Sequence, residues 1–161
     1  MSFTLDLDTN RRTAYFTGQG SCDYVDFCVA LNGLLNHPLY KPGMSTIWDW
    51  QRCEILLANT QICSIIETMT RFAGPMQTQR IGIITHEKNH DAAVTFQKYT
   101  ETMTPNWRVL LFSSLEQVDA WLNGPSFEGT AGTTKQENSL PPGTTAFFKP
   151  QAPRNGLWMT F

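Results

Sequence analysis

Apolar and polar positions along the chain change period several times, and the changes mark out its elements. Phe3-Thr4-Leu5-Asp6-Leu7 alternates apolar with polar, the period-two pattern of a half-buried strand. Thr13-Ala14-Tyr15-Phe16-Thr17 resumes an extended pattern after polar Asp8-Thr9-Asn10-Arg11-Arg12, so the two segments predict a hairpin. Gly18-Gln19-Gly20 then breaks the chain. Ser21 is the predicted cap of a helix whose apolar face is Tyr24, Cys28, Leu31 and Leu35, flanked by Val25 and Phe27. Asp23 and Asp26 suit the positive end of that helix's dipole.

Asn36-His37-Pro38 and Lys41-Pro42-Gly43 punctuate a loop. The next run, Met44-Ser45-Thr46-Ile47-Trp48-Asp49-Trp50, is rich in β-branched and aromatic residues and reads as a buried strand closed by an acid. Cys53-Glu54-Ile55-Leu56-Leu57-Ala58 leads into a helix signalled by Ile62, Ile65, Ile66, Met69 and Phe72, with Asn59 or Thr60 as cap and Gly74-Pro75 as stop. Arg80-Ile81-Gly82-Ile83-Ile84-Thr85 is nearly continuous apolar sequence, as in a strand covered on both faces. A helix follows from Asn89 or Asp91 to about Met103, burying Ala92, Phe96, Tyr99 and Met103, and Pro105 ends it. Trp107-Arg108-Val109-Leu110-Leu111-Phe112 is a further strand. Ser113-x-x-Glu116 is a capping-box pattern opening a last helix with Leu115, Val118, Trp121 and Leu122 on its apolar face, closed by Gly124-Pro125.

Strand, strand, helix, then strand-helix three times over is the pattern of an α/β fold. It predicts a mostly parallel sheet wound with βα repeats after an antiparallel N-terminal hairpin. The pattern ends near Asn123, which divides the chain into an α/β domain, 1–123, and an extension, 124–161, dominated at first by Gly, Thr, Pro and Ser. Large apolar residues return in Ala146-Phe147-Phe148 and Leu157-Trp158-Met159-Thr160-Phe161. A pure linker would not hold Phe147, Phe148, Trp158 and Phe161, so this segment is expected to dock, on its own sheet or on a neighbouring subunit.

Composition narrows the possibilities. With 12 basic and 14 acidic residues, net charge -2 and no basic run, the chain lacks the electrostatic footprint of a nucleic-acid or anionic-membrane binder. A charged fraction of 16% is low against a norm of about 25%, and such a weakly ionic surface favours self-association, so a homo-oligomer is expected. No stretch approaches the ~20 apolar residues of a membrane span, and Met1-Ser2-Phe3-Thr4-Leu5-Asp6 lacks the regions of a signal peptide, so the expected location is the cytoplasm. Cys22, Cys28, Cys53 and Cys63 include no Cys-x-x-Cys pair and are expected to be reduced structural thiols.

In a parallel sheet the strand ends gather at one edge, which brings Asp49, Thr85-His86 and Phe112-Ser113 into one region with the helix start at Asn59-Thr60. Asp49, Asn59, Thr60, His86 and Ser113 are the candidate partner- or ligand-binding residues. Asp49, Cys53, His86 and Ser113 contain the residue types of a nucleophile-base set. The chain has no nucleophile elbow, phosphate-cradling glycine loop or zinc spacing to support catalysis, so no catalytic residue and no cofactor is expected. His86 and His90 have the spacing of a metal pair on one helix, but the helix is predicted to begin between them, and no metal site is expected. Trp48 and Trp50 flank Asp49 and therefore share one sheet face, opposite the acid. Were that face uncovered, the rings would form an exposed apolar patch.

The stretch from Tyr24 to Trp50, with Pro42-Gly43-Met44 before Ile47-Trp48-Asp49-Trp50, then Arg80-Ile81-Gly82-Ile83-Ile84 and Val109-x-x-Phe112-x-x-x-Glu116-x-x-x-Ala120-Trp121-Leu122, resembles the uncharacterised bacterial proteins similar to STAS domains. That group is named for sulfate transporters and anti-sigma-factor antagonists. The resemblance spans about residues 1–122 and implies a STAS-like sheet of four to five strands and a non-enzymatic regulatory role with a protein partner. In the antagonists a Ser in an Asp-Ser-Ser-Gly-like motif, at the start of the helix after the central strand, is phosphorylated. Here the matching region is Leu56-Leu57-Ala58-Asn59-Thr60-Gln61, which lacks the motif and leaves Thr60 as the position for a phosphate. The expected function is therefore a regulatory or scaffolding protein-binding module. The alternative is a carrier of an apolar or nucleotide-like small molecule held at the strand ends by Asp49 and His86.

Truncation after Asn123 is expected to lower the molar mass measured by light scattering by more than the deleted residues account for, or to lower solubility. Unchanged association and solubility would sink the docked tail.

Overall fold

Alternation at the N-terminus does form a hairpin: β1 (Phe3–Asp8) pairs antiparallel with β2 (Thr13–Gly18), Phe3 opposite Gly18 and Asp8 opposite Thr13. These and the following observations come from a computed structural model that describes residues 2–73 and 78–124. Asp8 shapes the hairpin turn by accepting the backbone N–H groups of Asn10 and Arg11, each at 3.0 Å. Arg12 takes a left-handed φ of 51°, and its carbonyl accepts the Ser45 N–H at 2.9 Å, which ties the turn to the next strand of the sheet.

That strand is β4 (Ser45–Asp49), parallel to β2, followed by β6 (Gln79–Ile84) and β7 (Trp107–Phe112). The five-stranded sheet has the order β1-β2-β4-β6-β7, parallel throughout except for the hairpin. The α/β fold class, the hairpin and the strand succession are as the periodicity predicts. Two short strands are not. Gly20–Asp23 (β3) and Cys53–Leu56 (β5) pair in parallel as a separate two-stranded sheet, with Cys22 opposite Ile55 and Asp23 opposite Leu56. Gly20 opens β3 with a φ of +70°, a conformation that glycine adopts freely.

Because β3 occupies Ser21, the first helix starts later than predicted. α1 (Tyr24–Leu35) is capped by Asp23, whose carboxylate accepts from Val25 and Asp26 N–H, while the Asp26 side chain returns the bond to Asp23 N–H. The buried face is Phe27, Ala30, Leu31 and Leu34; of the predicted Tyr24, Cys28, Leu31 and Leu35 only Leu31 is buried, and the flanking Phe27 turns inward, so the stripe is rotated by about one residue. α2 (Asn59–Ala73) buries Ile62, Ile65, Ile66, Met69 and Ala73, while Phe72 is exposed. The Gly74-Pro75 stop lies outside the described residues. α3 (His90–Met103) buries Ala93, Phe96 and Thr100 and leaves the predicted Met103 exposed. α4 (Leu115–Asn123) is capped at Ser114 rather than Ser113, and only Val118 of its predicted face is fully buried, with Leu115 exposed.

The helices are divided between the faces. Residues of α1, α2 and α3 form one core with Phe16, Trp48, Trp50, Ile81, Ile83 and Val109. Trp48 is stacked between Phe16 at 3.9 Å and Phe27 at 5.3 Å, with Phe3 edge-on at 5.4 Å. Trp50 meets Phe27 and Phe96 edge-on. Both indoles thus share the covered face, as their spacing predicts, and they form no exposed patch. On the other face Val118 of α4 packs with Ile47 and Ile84. The Arg11 guanidinium holds α4 to the hairpin turn through Asp119 at 2.7 Å.

Gly18 ends β2 where a Cβ would sit 2.6 Å from Cys53 Sγ and 3.1 Å from the Phe3 ring. Gly18→Ala is expected to destabilise the fold by about 2 kcal/mol through overpacking, read as a lower urea midpoint at unchanged m-value. An unchanged midpoint would mean that β2 and β5 separate more easily than their packing indicates.

Candidate functional site

The C-terminal ends of β4, β6 and β7 meet at one edge and are stitched together in sequence order. Asp49 closes β4 half-buried, and its Oδ1 accepts the Gln51 N–H at 2.9 Å, a local turn typical of aspartate. Trp50 N–H donates to the Ile84 carbonyl and Thr85 N–H to the Phe112 carbonyl, extending the sheet by one rung on each side of β6. The Gln51 amide donates to the Ser113 carbonyl at 3.0 Å, and Ser113 donates both its N–H and its hydroxyl to Gln117 Oε1. Asp49 and Ser113 therefore stand in one linked loop system, as predicted. One Asp49 carboxylate oxygen and the Ser113 N–H, hydroxyl and carbonyl are engaged in holding the loops.

His86 follows Thr85 at the same edge, exposed, at the head of a short 3-10 turn (Glu87–Asn89) that leads into α3. Among the described residues no hydrogen bond joins it to Asp49, Cys53 or Ser113. The thiol that such a set would need is buried: Cys53 is 5% exposed, and burial, then the neighbouring Cys22 thiol, push its pKa far up. Cys22 is pushed up as well, mainly by burial. These are the protonated, shielded thiols of a packed core. No group of three or more metal-ligating side chains occurs among the described residues.

The residue that organises this edge is Asn89. It occupies the N-cap position of α3, yet its side chain caps nothing there. At 2% exposure its amide instead donates to the Trp50 and Cys53 carbonyls at 2.9 and 2.8 Å, and its Oδ1 accepts the Ile55 N–H at 3.1 Å. One buried side chain thus fixes the whole β4–β5 connection. An Asn before a helix signals a cap in sequence, and nothing local reveals partners more than thirty positions away.

Asn59 and Thr60 form a second group. The two-stranded sheet β3/β5 separates the start of α2 from the end of β4, and both residues lie exposed in the first turn of the helix, not at its cap. The cap is Ala58, whose carbonyl accepts from Ile62 N–H and whose own N–H donates to Gln61 Oε1 at 2.8 Å. Thr60 contributes its carbonyl to the Ser64 hydroxyl. Leu56, 51% exposed, precedes them at the end of β5, and its register partner Asp23 caps α1, whose first turn includes the exposed Val25. Among the described residues no hydrogen bond or ion pair joins this crest to Asp49, His86 or Ser113. Phe147, Phe148, Trp158 and Phe161 lie outside the described residues.

No family model and no curated protein matches the chain. Among solved structures it is similar to an uncharacterised protein of the DUF3478 family with a SpoIIAA-like fold from Shewanella loihica PV-4, at 13% identity and a TM-score of 0.46 over 74% of this chain and 91% of that one. It is also similar to the anti-sigma factor antagonist SpoIIAA in its unphosphorylated form, at 12% identity and a TM-score of 0.46 over 73% of this chain and 93% of that one.

Asn89→Ala removes three hydrogen bonds to backbone groups and is expected to cost about 3 kcal/mol of unfolding free energy in urea. A loss under about 1 kcal/mol would show that water replaces the amide and that the β4–β5 connection does not depend on it.

Proposed function

We propose that the chain is a non-enzymatic regulatory or scaffolding module that binds a protein partner through the crest formed by β5 and the first turns of α1 and α2. The observation behind this reading is that exposed apolar Leu56, paired with Asp23 at the cap of α1, closes β5 just before exposed polar Asn59 and Thr60, with Val25 exposed in the first turn of α1. An apolar centre with a polar border is the anatomy of a protein interface. Leu56 gains nothing from its exposure in the free chain, and the two-stranded sheet beneath it gives the surface a rigid base. The linked loops at Asp49 and Ser113 support a positioning role for the neighbouring strand ends. Thr60 is also the candidate for phosphorylation: at the start of α2 an added phosphate sits at the positive end of the helix dipole and changes the charge of the crest. The module works in the cytoplasm as a homo-oligomer, and the aromatic extension that includes Phe147, Phe148, Trp158 and Phe161 supplies the docking contacts.

Affinity capture from the source cell, followed by native mass spectrometry, tests this. The wild-type chain is expected to retain a stoichiometric protein, and Leu56→Asp or Thr60→Glu to lose it at least about tenfold, the scale of one buried interface contact. Asp49→Asn is expected to retain it. Equal capture by all variants, or a small-molecule adduct in place of a protein, would favour a carrier over a protein-binding module.

A further inference from the structure

At the N-terminal ends of β6 and β7, away from the strand ends at Asp49 and Ser113, two arginines stand side by side. Arg80 and Arg108 are direct register partners on these adjacent parallel strands. Each precedes a residue of the main core, Ile81 and Val109, so alternation puts both arginines on the other face of the sheet, the one that carries Gly82, Ile84 and α4. Like charges directly opposite each other on neighbouring strands are unfavourable unless something compensates them. No carboxylate does so. The ion pairs among the described residues join Arg11 to Asp8 and Asp119 and Lys88 to Glu54, and neither Arg80 nor Arg108 takes part.

Trp121 of α4 gives the pair a wall. A Cβ on Gly82 would lie 3.4 Å from the Trp121 ring, so the indole is seated over this glycine, and the Arg80 guanidinium carbon lies 5.4 Å from the ring centroid. This cation–π contact holds half-buried Arg80 in place without neutralising it. Arg108 is exposed on the edge strand, with exposed Leu110 two positions along the same face. The carbonyl end of α4, close to Trp121, brings about half a negative charge against two full positive ones. A positive surplus remains, on groups whose planar forks match the oxygens of a phosphate. The net charge of -2 conceals it, because only the pairing of β6 with β7 brings these two arginines together.

We propose that Arg80 and Arg108 form a binding site for a small organic phosphate monoester. The phosphate bridges the two guanidinium groups, its two negative charges balancing theirs, and the organic part rests against Trp121 and Leu110. This site is separate from the crest at Leu56 and Thr60 and stands or falls independently of it.

Phenyl phosphate and inorganic phosphate are suitable probes for the full chain. Titration followed by NMR is expected to give saturable phenyl phosphate shifts centred on the Nε–H groups of Arg80 and Arg108 and the indole N–H of Trp121. Inorganic phosphate is expected to shift the same arginine groups with weaker affinity, since it has no ring to lay on Trp121. Arg80→Gln and Arg108→Gln are each expected to weaken phenyl phosphate about tenfold, the worth of one hydrogen bond between charged groups. Arg108→Gln leaves the Arg80–Trp121 contact intact and so guards against an effect of a displaced indole. Arg71→Gln, the same loss of charge at an exposed position of α2 on the opposite face of the sheet, is expected to leave affinity unchanged. Equal weakening by Arg71→Gln, equal affinity for the two probes, shifts centred elsewhere, or no saturation would overturn the proposal.

Discussion

The burial of Trp48 and Trp50 on one face of the central strand constrains everything around them. Two indoles at positions two apart must lie on the same side of the sheet, and so large a surface demands helices above it. α1, α2 and α3 supply that cover. Trp48 fills the space between Phe16 and Phe27 so completely that α1 is oriented by its Phe27, which is why the helix turns Phe27, Ala30, Leu31 and Leu34 inward. The same packing leaves no room for a side chain at Gly18, where β2 passes against Cys53. Asp49, between the two indoles, is left on the opposite side and at the strand end, where its carboxylate shapes the following turn.

What could be read from the sequence follows from how locally each feature is determined. β1, β2, β4, β6 and β7 have apolar runs or alternation of their own, and each was legible to within a residue or two. α2, α3 and α4 also declare themselves through their spacing, although the individual inward residues shift. α1 has apolar residues on nearly every side, so its sequence does little to select a face and the tertiary contact with Trp48 decides. β3 and β5 could not be read at all. Each has only four residues, Gly-Ser-Cys-Asp and Cys-Glu-Ile-Leu, and neither has reason to be extended except the other. A strand pair separated by some thirty residues has no signature in either segment alone.

The candidate residues divide along the same line. Asp49, His86 and Ser113 come to one edge because a parallel sheet requires it, and that much is topology. Their chemistry depends on partners that topology does not specify: the Gln51 amide reaching the Ser113 carbonyl, and Asn89 reaching the loop after β4. Asn89 shows the difficulty plainly, since a residue placed to cap a helix uses its side chain elsewhere. The unforeseen β3/β5 sheet then carries Asn59 and Thr60 away from the strand ends, turning one expected rim into two surfaces.

The strand C-termini and the inward face of β4 differ in how fully their polar groups are satisfied. At the strand C-termini, Asp49, Gln51, Asn89 and Ser113 are all hydrogen-bonded within the protein, which suits an edge whose task is to hold a shape. At the other end of β4 the aromatic stack stops at Trp48, and the next inward position toward the N-terminus is Thr46. An apolar residue there would let the core continue to the end of the strand. Thr46 stands there instead, fully buried, its hydroxyl without a protein partner among the described residues, as are the indole N–H groups of Trp48 and Trp50. The alternation that hides the two tryptophans hides this threonine on the same face, so the strand that organises the core also holds the core's polar exceptions.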